Sequence, residues 1–379
     1  MRIAIIGAGA SGIYLALLAK KAHPDYEVVL FDREKKIGKK LAATGNGRCN
    51  LLHKDPSPEA YDHPDFIAPY LKAYPTGKLV EILGGFGIGV SELDDTGLYY
   101  PDSFSAPNHV AFLLKTLESL GVAIHMETEV LDYDPKQRVL KTSKGDFGYD
   151  RLVFACGGKS GRNLGTDGSL FSVLEKHGYE ITPLFPGLCP IKTKEKTRPL
   201  AGIRHAGEIK LEDDYASKGE ILFKEDGLSG IAVFDAQAHI MSKRVPIGAK
   251  ITLDLFPDHS LEELQKDWKT HACASSFYEE ALFPKPLAEY LCRLNKGNEP
   301  VSLARLCKNL VFHFDGSYRF EESQVTLGGL ALKEVDQNLL SKKEEAVAFT
   351  GEILDIAGQC GGYNLTWALI SALLVVETF

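Results

Sequence analysis

The residues best suited to chemistry in this chain are glycines, gathered in two short segments at opposite ends. Gly7-Ala8-Gly9-Ala10-Ser11-Gly12 directly follows the apolar run Ile3-Ala4-Ile5-Ile6. Thr350-Gly351-Glu352-Ile353-Leu354-Asp355 leads into Gly361-Gly362-Tyr363-Asn364-Leu365. A buried strand, a tight glycine turn and a helix together present backbone N–H groups to a pyrophosphate. In that reading Gly7 permits the turn, Gly9 lets the backbone approach the phosphates, and Gly12 lets helix and strand pack closely. Asp32 closes a second strand, Glu27–Phe31, twenty residues beyond Gly12, where such sites place a carboxylate on a ribose hydroxyl. The first segment names a dinucleotide without saying which. The second narrows the choice to FAD, which is long enough to need binding elements distant in sequence.

At the second segment, Val347-Ala348-Phe349 reads as a strand entering a turn, and Gly362 to about Glu377 reads as a helix. The N-terminus of that helix gathers partial positive charge. In a flavin site it can polarise the pyrimidine carbonyl and stabilise negative charge on the reduced ring. Asp355 either accepts hydrogen bonds from ribityl hydroxyls or phosphate-side water, or is a solvated turn residue.

The elements that must position these segments read as α/β. The first helix runs from Ser11 to about Ala22, with Ile13, Leu17 and Leu18 on one face. Gly38 to Asn50 is glycine-rich and polar without clear periodicity, and Pro56, Pro58, Pro64, Pro69 and Pro75 break up regular structure after it. Val110–Leu120 predicts a helix, Val122–Leu131 a strand, Arg138–Thr142 and Asp146–Tyr149 paired strands, and Arg151–Ala155 a buried strand ending at Cys156-Gly157-Gly158. This alternation fits a three-layer domain with an added β-meander. From Pro186 the texture changes to alternating stretches such as Glu208–Leu211 and Glu220–Phe223, then to helices at Leu261–Ala272, Pro286–Leu294 and Ser302–Leu310. The expected domains are 1–185 and 324–379 as two segments of one FAD-binding domain, around an insert at 186–323 on the substrate side. The insert is β-rich over 186–257 and helical over 258–314.

Bulk properties exclude several classes. The 379 residues exceed one simple core. A net charge of −8 leaves no electrostatic footprint for nucleic acid. The longest apolar stretch, Ala368–Val376, is too short to span a bilayer, so no membrane partner is expected. Arg2 and the following apolar residues imitate a signal peptide only faintly against the strand-turn-helix pattern. Seven scattered cysteines with no CxxC pair predict a reducing, cytoplasmic setting without disulfides, structural zinc or a dithiol relay. The eleven histidines show no metal-binding spacing, and no metal is expected.

Taken together, these segments resemble the bacterial aminoacetone-oxidase-like flavoproteins, NAD(P)/FAD-dependent oxidoreductases. The likeness is carried by Gly7–Gly12, Gly38-Lys39-Lys40-Leu41 through Gly47-Arg48-Cys49-Asn50, and Ala155-Cys156-Gly157-Gly158-Lys159-Ser160. It continues through Gly227-Leu228-Ser229-Gly230, Val325–Gly329, and Gly351 to Leu365. The resemblance implies a glutathione-reductase-like three-layer FAD-binding domain with an inserted β-barrel and small helical part. It places the pyrophosphate on Gly7, Gly9, Ala10, Ser11 and Gly12, the adenosine ribose on Asp32 with Arg33 beside it, and the adenine on Val130. Lys40 and the loop Gly45, Asn46, Gly47, Arg48, Cys49 and Asn50 would follow the ribityl chain and flavin, with Ala155, Gly157 and Gly158 as a further close-approach turn. Gly351, Glu352, Asp355, Gly362, Tyr363, Asn364 and Leu365 would close over the flavin end. Departures from the family pattern are Lys224 in place of Thr, Ile231 in place of Pro, and Ser371-Ala372 where glycines are frequent.

The expected function is an FAD-dependent oxidoreductase moving a hydride between a small organic substrate and flavin N5. No second GxGxxG is present, so the other partner is either oxygen or an NAD(P)H that visits transiently. The competing reading is a flavin-containing sensor or an RNA- or protein-binding module with structural FAD, for which Lys192, Lys194, Lys196 and Arg198 are a candidate patch or simply a solvated face. Cys49 is either a redox thiol or a packed loop residue; Arg48 either meets an anion or holds the loop; Tyr363 either shields a flavin face or packs the helix start. His177, His205 and His313 read as surface or core residues. No side chain is assigned as catalytic acid or base.

Overall fold

The computed structural model describes residues 1–93, 96–271, 282–295 and 300–379. The chain divides into two compact units, Met1–Phe185 with Val325–Phe379, and Pro186–Gln324.

In the first unit, five parallel strands form one sheet: β1 (Arg2–Ile6), β2 (Glu27–Phe31), β3 (Ala123–His125), β4 (Arg151–Phe154) and β5 (Val347–Phe349). Their spatial order is β5-β4-β1-β2-β3. Four of five residues in both β1 and β2 are buried, as expected of parallel strands covered on both faces. Helix α1 (Ala10–Ala22) is buried from Ser11 to Ala19, and it packs against α2 (Tyr363–Val376), whose residues Thr366–Val376 are all buried. A helix apolar all round belongs inside a core. Among the described residues no helix is long and apolar enough to cross a membrane.

Two expectations need correction here. The proline-rich stretch after residue 56 holds helices Pro64–Ala73 and Thr76–Gly84. Pro64 sits in the first turn, where its missing N–H and fixed φ cost nothing, and Pro75 caps the next helix from outside. The stretch Val122–Leu131 is two elements: β3, then a turn with Glu127 at φ +54°, then Val130–Asp134. That second strand opens an antiparallel meander with Val139–Thr142 and Gly145–Gly148.

The second unit is built on a closed barrel. Around it run Ile191–Thr193, Gly227–Ser229, Ala216–Phe223, Arg204–Leu211, Lys250–Asp254 and Leu310–Ser317. Ile191, Ile209, Ile221, Phe223, Leu228, Ile251, Leu253 and Phe312 are fully buried in its core. Helix Ile231–Ser242, absent from the sequence reading, begins straight after Gly230. Helices Leu261–His271, Lys285–Leu294 and Pro300–Lys308 follow the expected order, while Ala272 and Cys273 lie outside the described residues.

Candidate functional site

The three glycines of the first segment do three different jobs. Gly7 has φ +105°, and a Cβ there would lie 2.5 Å from the Ala155 carbonyl oxygen. A Cβ on Gly12 would collide with the carbonyl oxygen of Gly7. Both are therefore demanded by the protein's own packing. Gly9 is different: its backbone is extended (φ −86°, ψ −167°), and a Cβ would meet nothing within 4 Å. Nothing in the polypeptide requires glycine at that position. Helical bonding starts with Ile13 N–H donating to Gly9 O at 3.0 Å, so the N–H groups of Ala10 and Ser11 have no intrahelical acceptor. A space beside a bare glycine, next to unsatisfied donors at a positive helix end, fits a phosphate.

The residues expected on the adenosine side line one partly open pocket. Gly7, Asp32, Arg33, Val130, Gly157 and Gly158 all line it. Asp32 is held by two backbone donors, Ala8 N–H to Oδ2 and Glu34 N–H to Oδ1, both 2.8 Å. A carboxylate has about four acceptor sites, so Asp32 keeps capacity to accept from a hydroxyl in the pocket. Arg33 spends its guanidinium on the wall: Nη1 lies 2.7 Å from Asp167 Oδ2, and Nη2 donates to Gly165 O at 2.8 Å. It shapes the pocket by pinning the loop Gly165–Ser169. The arginine in turn holds Asp167 down to a pKa of about 2 against the opposing effect of burial. Sequence reasoning missed this wall. Its signal is Gly165-Thr166-Asp167-Gly168, two glycines at positive φ immediately before helix Ser169–Lys176.

The two glycine segments meet. Ser11 Oγ donates to Thr350 O at 3.3 Å across 339 residues, and a Cβ on Gly351, at φ +78°, would sit 2.5 Å from that same Oγ. Ser371 completes the corner by accepting from Gly351 N–H at 2.9 Å and bonding Thr350 Oγ1 at 2.8 Å. The departure from glycine at 371 therefore anchors the turn. Lys40 Nζ pairs with Glu352 Oε2 at 2.6 Å, and Glu352 Oε1 accepts Thr326 N–H at 2.8 Å. Thr326 Oγ1 also accepts from Lys159 N–H at 2.7 Å, beside Gly158. Ala155 N–H donates to Ile6 O at 2.8 Å, tying this turn to β1.

The loop at 45–50 is a chain of left-handed residues: Gly45, Asn46, Gly47 and Cys49 all have positive φ. Cys49 is fully buried, and burial pushes its thiol up to about 11, so it is a packed, protonated residue rather than a reactive thiolate. Arg48 is exposed, and Asn50 backs Gly45, whose Cβ would lie 2.9 Å from Asn50 N. The loop leads to Leu52 and His53, which face the start of α2. A Cβ on Gly362, at φ +87°, would lie 2.7 Å from the Leu52 carbonyl carbon. The Tyr363 ring stacks on His53 with centroids 4.7 Å apart, and Tyr61 Oη donates to Tyr363 O at 2.8 Å. The Tyr363 ring is thus held by protein neighbours. Asn364 is turned onto its own loop, bonding Gly358 N–H at 2.9 Å and Gly358 O at 2.8 Å. Leu365 packs on the main core.

Asp355 is not a solvated turn. It is largely buried, and His63 Nε2 lies 3.6 Å from its Oδ2. With Asp62 these form a group whose ligand-type atoms lie within 4.8 Å of one another. The histidines named from sequence are structural: His177 bonds Asp132 at 2.9 Å, His205 meets Leu255 O at 2.9 Å, and His313 bonds Glu195 at 2.7 Å. In the insert, the motif Gly227–Gly230 is barrel packing, since Cβ atoms on Gly227 and Gly230 would collide with the carbonyls of Ile191 and Glu220.

The chain matches a family model described as HI0933-like protein Rossmann domain over residues 1–378. It is 32% identical over 398 residues to the 3-dehydro-bile acid delta(4,6)-reductase of Clostridium scindens, covering 97% of this chain and 96% of the relative. It is 29% identical over 390 residues to the ribosomal RNA dihydrouridine synthase of Escherichia coli, covering 97% and 95%. Among solved structures, the fold is shared with the 3-ketosteroid delta1-dehydrogenase of Sterolibacterium denitrificans, with a TM-score of 0.54 at 10% identity, covering 99% of this chain and 98% of that one. The chain belongs to the HI0933-like family of Rossmann-type, FAD-binding flavoprotein oxidoreductases.

Proposed function

We propose that this chain is an FAD-dependent reductase that saturates a carbon–carbon double bond conjugated to a carbonyl, using NAD(P)H as a transient reductant. The observation that carries the FAD assignment is the room for a Cβ at Gly9, beside the N–H groups of Ala10 and Ser11 that have no intrahelical acceptor. Gly9, Ala10 and Ser11 would hold the pyrophosphate, Asp32 the adenosine ribose and Val130 the adenine. Lys40, Glu352 and the left-handed loop 45–50 would follow the ribityl chain, and the start of α2 would meet the pyrimidine end. When bound, FAD accepts an electron pair and passes it on as a hydride. The protein orients that cofactor, places positive backbone ends where negative charge gathers, and keeps Cys49 and Cys156 protonated through burial.

The substrate class is drawn from the relatives' names. A 3-dehydro-bile acid delta(4,6)-reductase and a dihydrouridine synthase both add two hydrogens across a C=C bond in conjugation with a carbonyl. The bulk charge of −8 weighs against nucleic acid, whereas the second name supports an RNA pyrimidine as substrate. The deciding experiment is anaerobic bleaching of the flavin by NADH or NADPH. Reoxidation is then tried with a 4-en-3-oxo steroid, 2-cyclohexen-1-one or a uridine-containing RNA, with a mass gain of two hydrogens as readout. Reoxidation by oxygen alone, with every conjugated probe inert, would overturn the reductase reading in favour of an oxidase.

A further inference from the structure

We propose that His63 is the acid that protonates the substrate carbon next to the carbonyl, with Asp355 as its positioning residue. The inference rests on the reductase reading above and names the side chain which that reading lacks. The segment Ala60–Asp62 is zipped onto Ala357–Gln359: Asp62 N–H donates to Ala357 O at 3.0 Å, Ala357 N–H to Asp62 Oδ1 at 2.9 Å, and Gln359 N–H to Ala60 O at 2.8 Å. This docks His63 on the loop that joins Gly351 to Gly362, the flavin-end half of the proposed site. Its Nε2 faces Asp355 Oδ2 at 3.6 Å. Its side chain is 42% exposed against 12% for Asp355, so the imidazole has one face on a carboxylate and one open.

Other proton carriers around that loop are unsuited. His53 stacks on Tyr363, accepts from Asp55 N–H at 3.2 Å, and is pushed towards the neutral form by burial. Tyr61 is buried, with its hydroxyl proton given to Tyr363 O and its pKa raised by burial. For His63 the facing ionisable groups are Asp355 and Asp62. The nearby carboxylate of Asp355, then that of Asp62, raise its pKa against the opposing effect of partial burial.

The step balances as a net addition of two hydrogens. A hydride equivalent from the reduced cofactor reaches the carbon distal to the carbonyl, and the C=C π pair takes the proton from imidazolium N–H at the proximal carbon. Neutral His63 regains a proton from solvent through its open face, and NAD(P)H restores the cofactor's electron pair.

The test uses full-length, flavin-loaded His63→Gln and Asp355→Asn, reduced anaerobically with dithionite and mixed with 2-cyclohexen-1-one or a 4-en-3-oxo steroid. We expect His63→Gln to retain its flavin and reoxidise about 100-fold or more slowly, without the alkaline fall in rate that wild type shows as His63 deprotonates. Asp355→Asn should move that fall to lower pH, matched by a lowered His63 titration midpoint in imidazole NMR spectra. A His63→Gln protein within threefold of wild type with the same alkaline limb overturns the proposal. If that variant fails to fold, an unmoved limb and NMR midpoint in Asp355→Asn overturn it instead. Loss of wild-type reoxidation on chelation with EDTA, restored by a divalent ion, would make the trio a metal site and also overturn it. A wild-type enzyme that neither these probes nor a uridine-containing RNA reoxidises is separately recognisable, and removes the reductase reading and this inference together.

Discussion

The two compact units use the same residue for opposite purposes. In the barrel unit, the glycines of the motif Gly227–Gly230 exist because neighbouring backbone leaves no room, with Ile191 O and Glu220 O where a Cβ would be. In the sheet unit, Gly7 and Gly12 follow that rule, but Gly9 has allowed backbone angles and open space. What sets Gly9 apart from Gly77 and Gly84, which also have room for a Cβ, is that its open space adjoins helix N–H groups without an intrahelical acceptor. The contrast separates motif residues that encode a fold from those that encode a ligand, which sequence spacing alone treats alike.

The largest effect should come from Gly9→Val. Extended φ/ψ suits a β-branched residue, so the fold should survive, with a thermal midpoint within a few degrees of flavin-free wild type. Bound flavin per chain should drop tenfold or more in the absorbance spectrum. Full flavin occupancy in this variant would end the distinction between the two kinds of glycine. Gly227→Ala should do the converse. It destabilises the barrel by about 3 kcal/mol in urea unfolding through overpacking, while folded protein keeps its flavin. An unchanged unfolding midpoint there would show that the barrel can yield.

The smallest effect concerns acid. His109, 3% exposed with Nε2 unpartnered, has its pKa pushed down to about 4 by burial. The folded state thus resists a proton that the unfolded chain takes up near its ordinary value of about 6.5. Stability is unaffected above that value, falls as pH drops from about 6.5 to about 4, and levels off below. His109→Gln should flatten this window by about 1–2 kcal/mol at pH 5, read as the urea midpoint against pH. A pH profile identical to wild type would assign the acid sensitivity elsewhere.

Legibility followed distance along the chain. The unit from Ile3 to Asp32 was readable because strand, turn, helix and acid are each local patterns with fixed spacing. The helices at Pro64–Ala73 and Thr76–Gly84 are hidden because proline reads as a breaker in sequence, though at a helix start it is compatible. The role of Ser371, the Arg33–Asp167 clamp and the His63–Asp355 pair were illegible for another reason. Each is a meeting of residues far apart in sequence, and no periodicity encodes which side chain a fold brings opposite another.

The placement of β5 has a consequence for synthesis. Its partner β4 ends at Phe154, while β5 begins only at Val347, beyond the whole barrel unit. During translation the outer edge of β4 waits unpaired while roughly 190 residues are made, about 10–40 s at ordinary ribosomal speed. An open apolar sheet edge is a template for pairing with other chains. The insert therefore sets the length of the interval in which each newly made molecule carries that unpaired edge.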